Sequence, residues 1–173
     1  MSESLDDLKS QINTLTKAVS NLKKNPPLQD HFHNGFDTSR VDWSNITTKK
    51  IYIAHSIYGT DAATAAKYGV FFIAPVPCYV SGFKEVHKTA GTDAGTVTLG
   101  LEKLTGTQAL DAGVAVLSAT LSLKATADTV QSGTLTTTLA NRNLSTGDRL
   151  ALDDSGTLTS VAGVTIIVEL TLT

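Results

Sequence analysis

A heptad seam that runs into two prolines restricts this chain more than any other feature. Leu5, Leu8, Ile12, Leu15, Val19 and Leu22 recur at alternating steps of three and four residues. That spacing sets Leu5, Ile12 and Val19 at position a and Leu8, Leu15 and Leu22 at position d of a heptad. The stripe is only two positions wide, whereas a helix packed on its own domain carries a broader apolar face. It predicts an intermolecular coiled coil over residues 1–25. Ser2 or Ser4 can cap the start, with Asp6 and Asp7 in the first turn and Lys23 and Lys24 in the last, as the helix dipole favours. Pro26 and Pro27 stop the helix, because a residue before proline is pushed out of the α region. An isolated helix of this length is marginal in water, so association has to hold it. Isoleucine or valine at a with leucine at d leans by itself towards two strands.

Residues 26–50 read as a polar connector. Asn34-Gly35 is a turn signal, since both residues tolerate positive φ. Phe36 and Trp43 are candidate anchors that pack this segment.

Residues 51–173 read as a β-rich head domain. Thr96–Leu104 alternates, with Val97, Leu99 and Leu101 on one face and Thr98, Gly100 and Glu102 on the other. Val164–Leu172 alternates again through Val164, Ile166, Val168, Leu170 and Leu172. Further strands are expected at Val70–Ala74, Tyr79–Lys88, Val114–Leu123, Ala127–Gln131, Thr134–Ala140 and Arg149–Leu152. Tyr52 to Gly69 is ambiguous, and Asp61 to Lys67 reads as a helical turn or a loop. Glycine-containing turns divide these runs, and period-two alternation predicts antiparallel sheets with one face buried. The fold class is therefore mainly β: a short coiled-coil helix, then an antiparallel, jelly-roll-like β-sandwich.

Composition narrows the function. With 14 Lys and Arg against 16 Asp and Glu, the net charge is −2. That leaves no basic excess to neutralise phosphates, and no nucleic-acid partner is expected. Charged residues make up 17% of the chain, below the roughly 25% of ordinary proteins; threonine, serine, alanine and glycine take their place. Cys78 is the only cysteine, so no intrachain disulfide forms, and the thiol is expected to be a small buried apolar group. No secretory signal and no apolar run of the ~20 residues that a membrane helix needs is present. The expectation is a soluble protein made in a cytoplasm, without membrane insertion.

Catalytic motifs are missing: there is no GxSxG elbow, phosphate-binding loop or HExxH. Asp93, Asp111, Asp128, Asp148, Asp153 and Asp154 neighbour Gly, Ser or Thr in expected turns, where aspartate bonds its own backbone. No enzyme is expected. His55 and His87 are isolated and read as surface or internally satisfied histidines. His31-Phe32-His33 is the sharpest constellation, because residues i and i+2 of an extended segment share a side. Around a threefold axis three such pairs offer six nitrogens, enough for octahedral coordination of a transition metal. The competing reading is local hydrogen bonding to Asp30 or Asp37.

The stretch from Asp30 to Val41 (DHFHNGFDTSRV) resembles the H-x-H-N-G-x-D-S/T segment of tailed-bacteriophage virion proteins, where it often follows a short coiled coil. The C-terminal region is similar to small phage capsid-decoration, head-fibre and fibre-tip domains. That likeness rests on Pro75-Val76-Pro77, Val80-Ser81-Gly82, the strand with Val97-Thr98-Leu99, Leu144 to Leu150 (LSTGDRL), Gly156-Thr157-Leu158-Thr159 and Ala162-Gly163-Val164-Thr165. The resemblance implies a homotrimer on the virion surface, partnered by phage capsid or other virion proteins. It also implies a metal ion such as iron held by His31 and His33 on the threefold axis. The expected function is a non-enzymatic fibre or decoration protein displayed on the capsid. The alternative is a tail-associated receptor-binding tip that recognises a host surface glycan, for which Tyr58 or Tyr68 are candidate contacts.

Overall fold

The computed structural model describes residues 5–24 and 49–173, with side chains described for 6–21 and 49–173. The chain forms two compact units, which divide between Asn45 and Ile46.

In the first unit, helix α1 spans Leu5–Lys24 with Asp6 and Asp7 in its first turn. Thr14 and Thr16 turn their hydroxyls inward along the helix, donating to the carbonyls of Ser10 and Ile12 at 2.9 and 2.8 Å. Each of residues 6–21 is exposed. The seam residues Leu8, Ile12, Leu15 and Val19 are between 45% and 64% exposed, so the apolar stripe faces solvent.

The second unit is built from two antiparallel sheets. Its strands are β1 (Lys50–Ile57), β2 (Val70–Ile73), β3 (Cys78–Thr89), β4 (Thr98–Leu104), β5 (Val114–Ala115), β6 (Leu121–Ser122), β7 (Gln131–Ser132), β8 (Asn143–Leu144), β9 (Arg149–Ser155) and β10 (Ala162–Leu172). A short helix α2 (Leu139–Arg142) precedes β8. The first sheet runs β1-β10-β3-β7, with β8 also on β3; the second runs β2-β9-β4-β5, with β6 also on β4. The first four strands thus alternate between the sheets, as do β9 and β10. Val80, Phe83, Val164, Ile166, Val168 and Leu170 of the first sheet join Leu99, Leu101, Leu150 and Leu152 of the second in one buried cluster. Period-two alternation along β10 and β4 supplies six of these ten residues, as expected from the sequence, and β3 and β9 supply the other four.

Several local readings change. The ambiguous Tyr52–Gly69 stretch resolves into β1 and two 3-10 turns, Gly59–Ala63 and Ala65–Lys67. The expected strand Thr134–Ala140 is reduced to a single bridge between Leu135 and Leu117, followed by α2. Thr136 accepts the Thr138 amide on its hydroxyl at 3.3 Å, a side-chain bond that competes with a strand ladder. Val114–Leu123 is broken in the middle. There, Val116 donates to Leu101 O while accepting from Thr136 N, and Ser118 donates to Thr134 O. This stretch therefore leaves the β4 ladder on one of its sides.

The outer face of β4 is also not free, although alternation assigns it to solvent. Glu102 is buried and accepts the amides of Asp111 and Gly113, each at 3.0 Å. Arg149 donates to the carbonyls of Gly106 and Gln108 at 3.1 and 2.7 Å. Together these bonds fix the β4–β5 loop over the second sheet. Among the described residues no helix is long and apolar enough to cross a membrane.

Candidate functional site

The outer face of the first sheet carries a groove. Two cross-strand rows build it. Tyr52 of β1 faces Glu169 of β10, which faces Gly82 of β3; next to them Ala54 faces Ile167, which faces Lys84. Residues directly opposed on neighbouring strands share a face. Gly82 and Ala54 are small, so larger neighbours stand around gaps. A Cβ on Gly82 would come within 3.3 Å of Glu169 Cβ, which shows how tightly the glutamate stem crosses this spot. Tyr52, Gly82, Phe83, Lys84, Ile167 and Glu169 line a cavity of about 160 Å³.

An ion pair and hydrogen bonds tie one wall together. Lys50 donates to Glu169 Oε1 at 2.5 Å, and the Ser81 hydroxyl donates to the same oxygen at 2.9 Å. Thr171 in turn donates to Ser81 at 3.1 Å. The Lys50 bond, then Ser81, and further the Tyr52 hydroxyl hold the Glu169 carboxyl below its ordinary range, against some opposing burial. The same bond raises Lys50. The β10–β3 ladder shifts register between Glu169 and Leu170. Such bulges re-aim side chains, and this one lies beside the Ser81–Glu169 bond. Among the described residues Lys84 has no ion-pair or hydrogen-bond partner, so its ammonium is free at the groove's rim.

A second polar group lies inside the head. Glu85 and His87 of β3 are inward-facing and fully buried. His87 Nδ1 lies 2.9 Å from Glu85 Oε1, and Nε2 lies 3.0 Å from the Ala125 carbonyl. Gln131 donates to Glu85 Oε2 at 2.7 Å and to Ser122 O at 2.8 Å. A carbonyl only accepts, so Nε2 carries a proton. The Nδ1 contact then needs one further proton shared with Glu85. With its polar atoms hydrogen-bonded, the cluster pins β7 and the Ser122–Ala125 turn to β3.

The residues singled out from the sequence fall in different places. His31 and His33 lie outside the described residues, as do the side chains of Leu5 and Leu22. The remaining seam residues line up along α1. His87 is internally satisfied, and His55 stacks on Phe71 with centroids 5.5 Å apart, joining β1 to β2. Tyr68 is buried and donates to Ala62 O at 2.9 Å, which removes it as a glycan contact; Tyr58 is 80% exposed. Asp111 and Asp128 occupy positive-φ positions and Asp148 accepts the Ser145 amide at 2.9 Å, all turn chemistry. Asp153 and Asp154 instead belong to strand β9. Burial, then neighbouring carboxylates, raises Asp153; burial leads the rise of Asp154 too. Among the described residues no group of three or more His, Cys, Asp or Glu is placed to hold a metal ion.

The groove escaped the sequence because Tyr52 sat in the ambiguous stretch. The buried pair was legible in principle: Phe83, Glu85 and His87 share one strand parity, which placed two polar residues on a buried face.

No protein-family model matches the chain, and no curated protein matches it. A chain in the solved structure titled "Cyanophage Pam1 capsid asymmetric unit" is similar to it at 15% identity and a TM-score of 0.48. The match covers 73% of this chain and 86% of that chain.

Proposed function

We propose that this chain is a non-enzymatic structural protein of a bacteriophage virion, a homotrimeric fibre or decoration protein displayed on the capsid. The observation that carries the assembly reading is the bare heptad seam. Leu8, Ile12, Leu15 and Val19 face solvent along a helix of 20 residues. Each such side chain contributes about 1.5–3 kcal/mol when fully buried, and a coiled coil with other copies buries all of them at once. The virion reading is supported by the resemblance of residues 30–41 and of the C-terminal region to phage virion proteins.

The strand order supports a jelly roll. Counting β5 with β6 as one broken strand and β7 with β8 as another gives eight strands, in orders 1-8-3-6 and 2-7-4-5. Two Greek keys rolled together give this arrangement, an architecture used by viral capsid and lectin domains. A threefold coiled coil carries a further proposal with it: His31 and His33 of three copies supply six imidazole nitrogens to a transition-metal ion such as iron. Metal analysis of the purified protein, with and without His31→Ala, tests that part.

Light scattering on the full chain is the first test. Three times the monomer mass is expected, falling to one for Ile12→Asp combined with Leu15→Asp. A monomeric parent overturns the fibre reading. Immunogold labelling of particles tests location: label on heads is expected, and label confined to tail tips favours the receptor-binding alternative.

A further inference from the structure

We propose that the groove on the outer face of the first sheet binds an acidic pyranose, a uronic-acid unit of a polysaccharide. Three features of the groove select this chemistry. The first is its size. A cavity of about 160 Å³ is smaller than the roughly 300–1,000 Å³ of sites for drug-sized ligands, so it admits one ring rather than a chain of side chains.

The second is amphipathic lining. Tyr52 is 61% exposed and Ile167 is 41% exposed, and they stand on adjacent rows with Ala54 between them on β1. A pyranose has an apolar face of C–H groups that suits such a wall, and an edge of hydroxyls that needs polar partners. Glu169 supplies the acceptor, already oriented by Lys50 and Ser81. A carboxylate held by fixed donors meets a hydroxyl without first ordering itself, which is the advantage of a pre-organised site. A peptide would instead be expected at a strand edge, where backbone groups are unpaired.

The third is charge. Lys84 lines the groove with an ammonium and Glu169 with a carboxylate, to which Lys50 brings a second ammonium. Lys50 is spent on Glu169, which leaves Lys84 free at the rim. The groove thus has a local excess of one positive charge on a chain whose net charge is −2. A neutral sugar leaves that ammonium without a partner, whereas a uronate carboxylate pairs with it.

The test uses the full-length chain, with methyl β-glucuronide and methyl β-glucoside as probes in saturation-transfer NMR titrations. The glucuronide is expected to bind with Kd on the order of 1–10 mM, the range for so small a ligand, and the glucoside at least about fivefold more weakly. Tyr52→Ala is expected to abolish transfer to the ring C–H protons. Lys84→Gln is expected to reduce the glucuronide to the level of the glucoside, and Lys84→Arg to preserve the preference. Both positions are at the surface, and unfolding midpoints check that each variant keeps its fold. No transfer from either sugar up to about 50 mM overturns the proposal. So does transfer unchanged by Tyr52→Ala, or acetate binding as well as the glucuronide, which would mean attraction to a bare cation. Assembly is a separate matter: the Ile12→Asp, Leu15→Asp chain is expected to bind the monosaccharide as the parent does.

Discussion

Replacing Glu85 with alanine should destabilise the head more than any single change on its surface. The carboxylate and the His87 ring are both fully buried, 2.9 Å apart. Glu85 also takes the 2.7 Å bond from Gln131. Each charge-assisted bond contributes about 1.5–3 kcal/mol, so losing two gives about 3–6 kcal/mol. Gln131 keeps its bond to Ser122 O, which pulls the expectation to about 3–5 kcal/mol, the range for removing one member of a buried pair. Equilibrium unfolding in urea measures it. With a slope of about 1–3 kcal/mol per molar urea, the midpoint should fall by at least about 1 M with the slope unchanged. Parent and variant must be compared at one protomer concentration, because any association adds to apparent stability. A companion variant separates pairing from packing. Glu85→Leu with His87→Leu removes both polar groups and refills the space, and should recover much of the loss. A loss below about 1 kcal/mol for Glu85→Ala refutes the reasoning, as does a double variant less stable than the single one.

Three further outcomes follow from other parts of the head. Gly156 has φ of +94°, and a Cβ there would sit 1.9 Å from Thr96 O. Gly156→Ala should therefore cost at least about 2 kcal/mol in chemical unfolding, combining left-handed strain with a backbone clash. Asp153 is raised above its ordinary 3.8, first by burial and then by Asp111 and Glu102. A raised carboxyl favours the folded state fully below that value and loses the contribution as pH rises through the folded pKa. Asp153→Asn should then raise the melting temperature near pH 7 and change little near pH 3. Cys78 is buried and its thiol is pushed up by burial. A thiol reagent should label it in denaturant and not in the folded protein, and fast native labelling would contradict its place in the core.

The two longest alternating stretches, Val164–Leu172 and Thr96–Leu104, could be read from the sequence because one side of each meets the shared core. The seam of α1 was equally plain, since its period comes from local spacing alone. What could not be read depended on contacts distant in sequence. Thr134–Ala140 has strand composition, yet the Thr136 hydroxyl takes the Thr138 amide and the stretch keeps a single bridge. Glu102 alternates as a solvent residue and is buried because a loop nine to eleven residues on returns its amides to the carboxylate. The groove needed three strands in register, β1 from the start of the head and β10 from its end, so no window of sequence contains it. Lys50 to Glu169 spans nearly the whole second unit.

The two exposed apolar features differ in kind, and the difference bears on what each can bind. The seam of α1 repeats every seven residues, so another copy offers the same pattern and can match it along its length. The groove has one aromatic ring, one fixed carboxylate and one free ammonium, a set that does not repeat and is not self-complementary. The first suits assembly and the second a small foreign group. In the proposed trimer, the two together predict avidity. A single uronate on one groove is expected to bind only at about millimolar concentration, but a polymer that reaches two or three grooves of one assembly would gain effective concentration, and avidity of that kind reaches about 10²–10⁴-fold. A glucuronate-containing polysaccharide should therefore bind the parent at least about 10²-fold more tightly than it binds the Ile12→Asp, Leu15→Asp chain, while the methyl glucuronide binds both alike. Surface plasmon resonance with the polysaccharide immobilised measures the first, and the NMR titration the second. Equal binding of the polymer to assembled and dissociated chains would mean that the grooves do not act together, whatever each one binds.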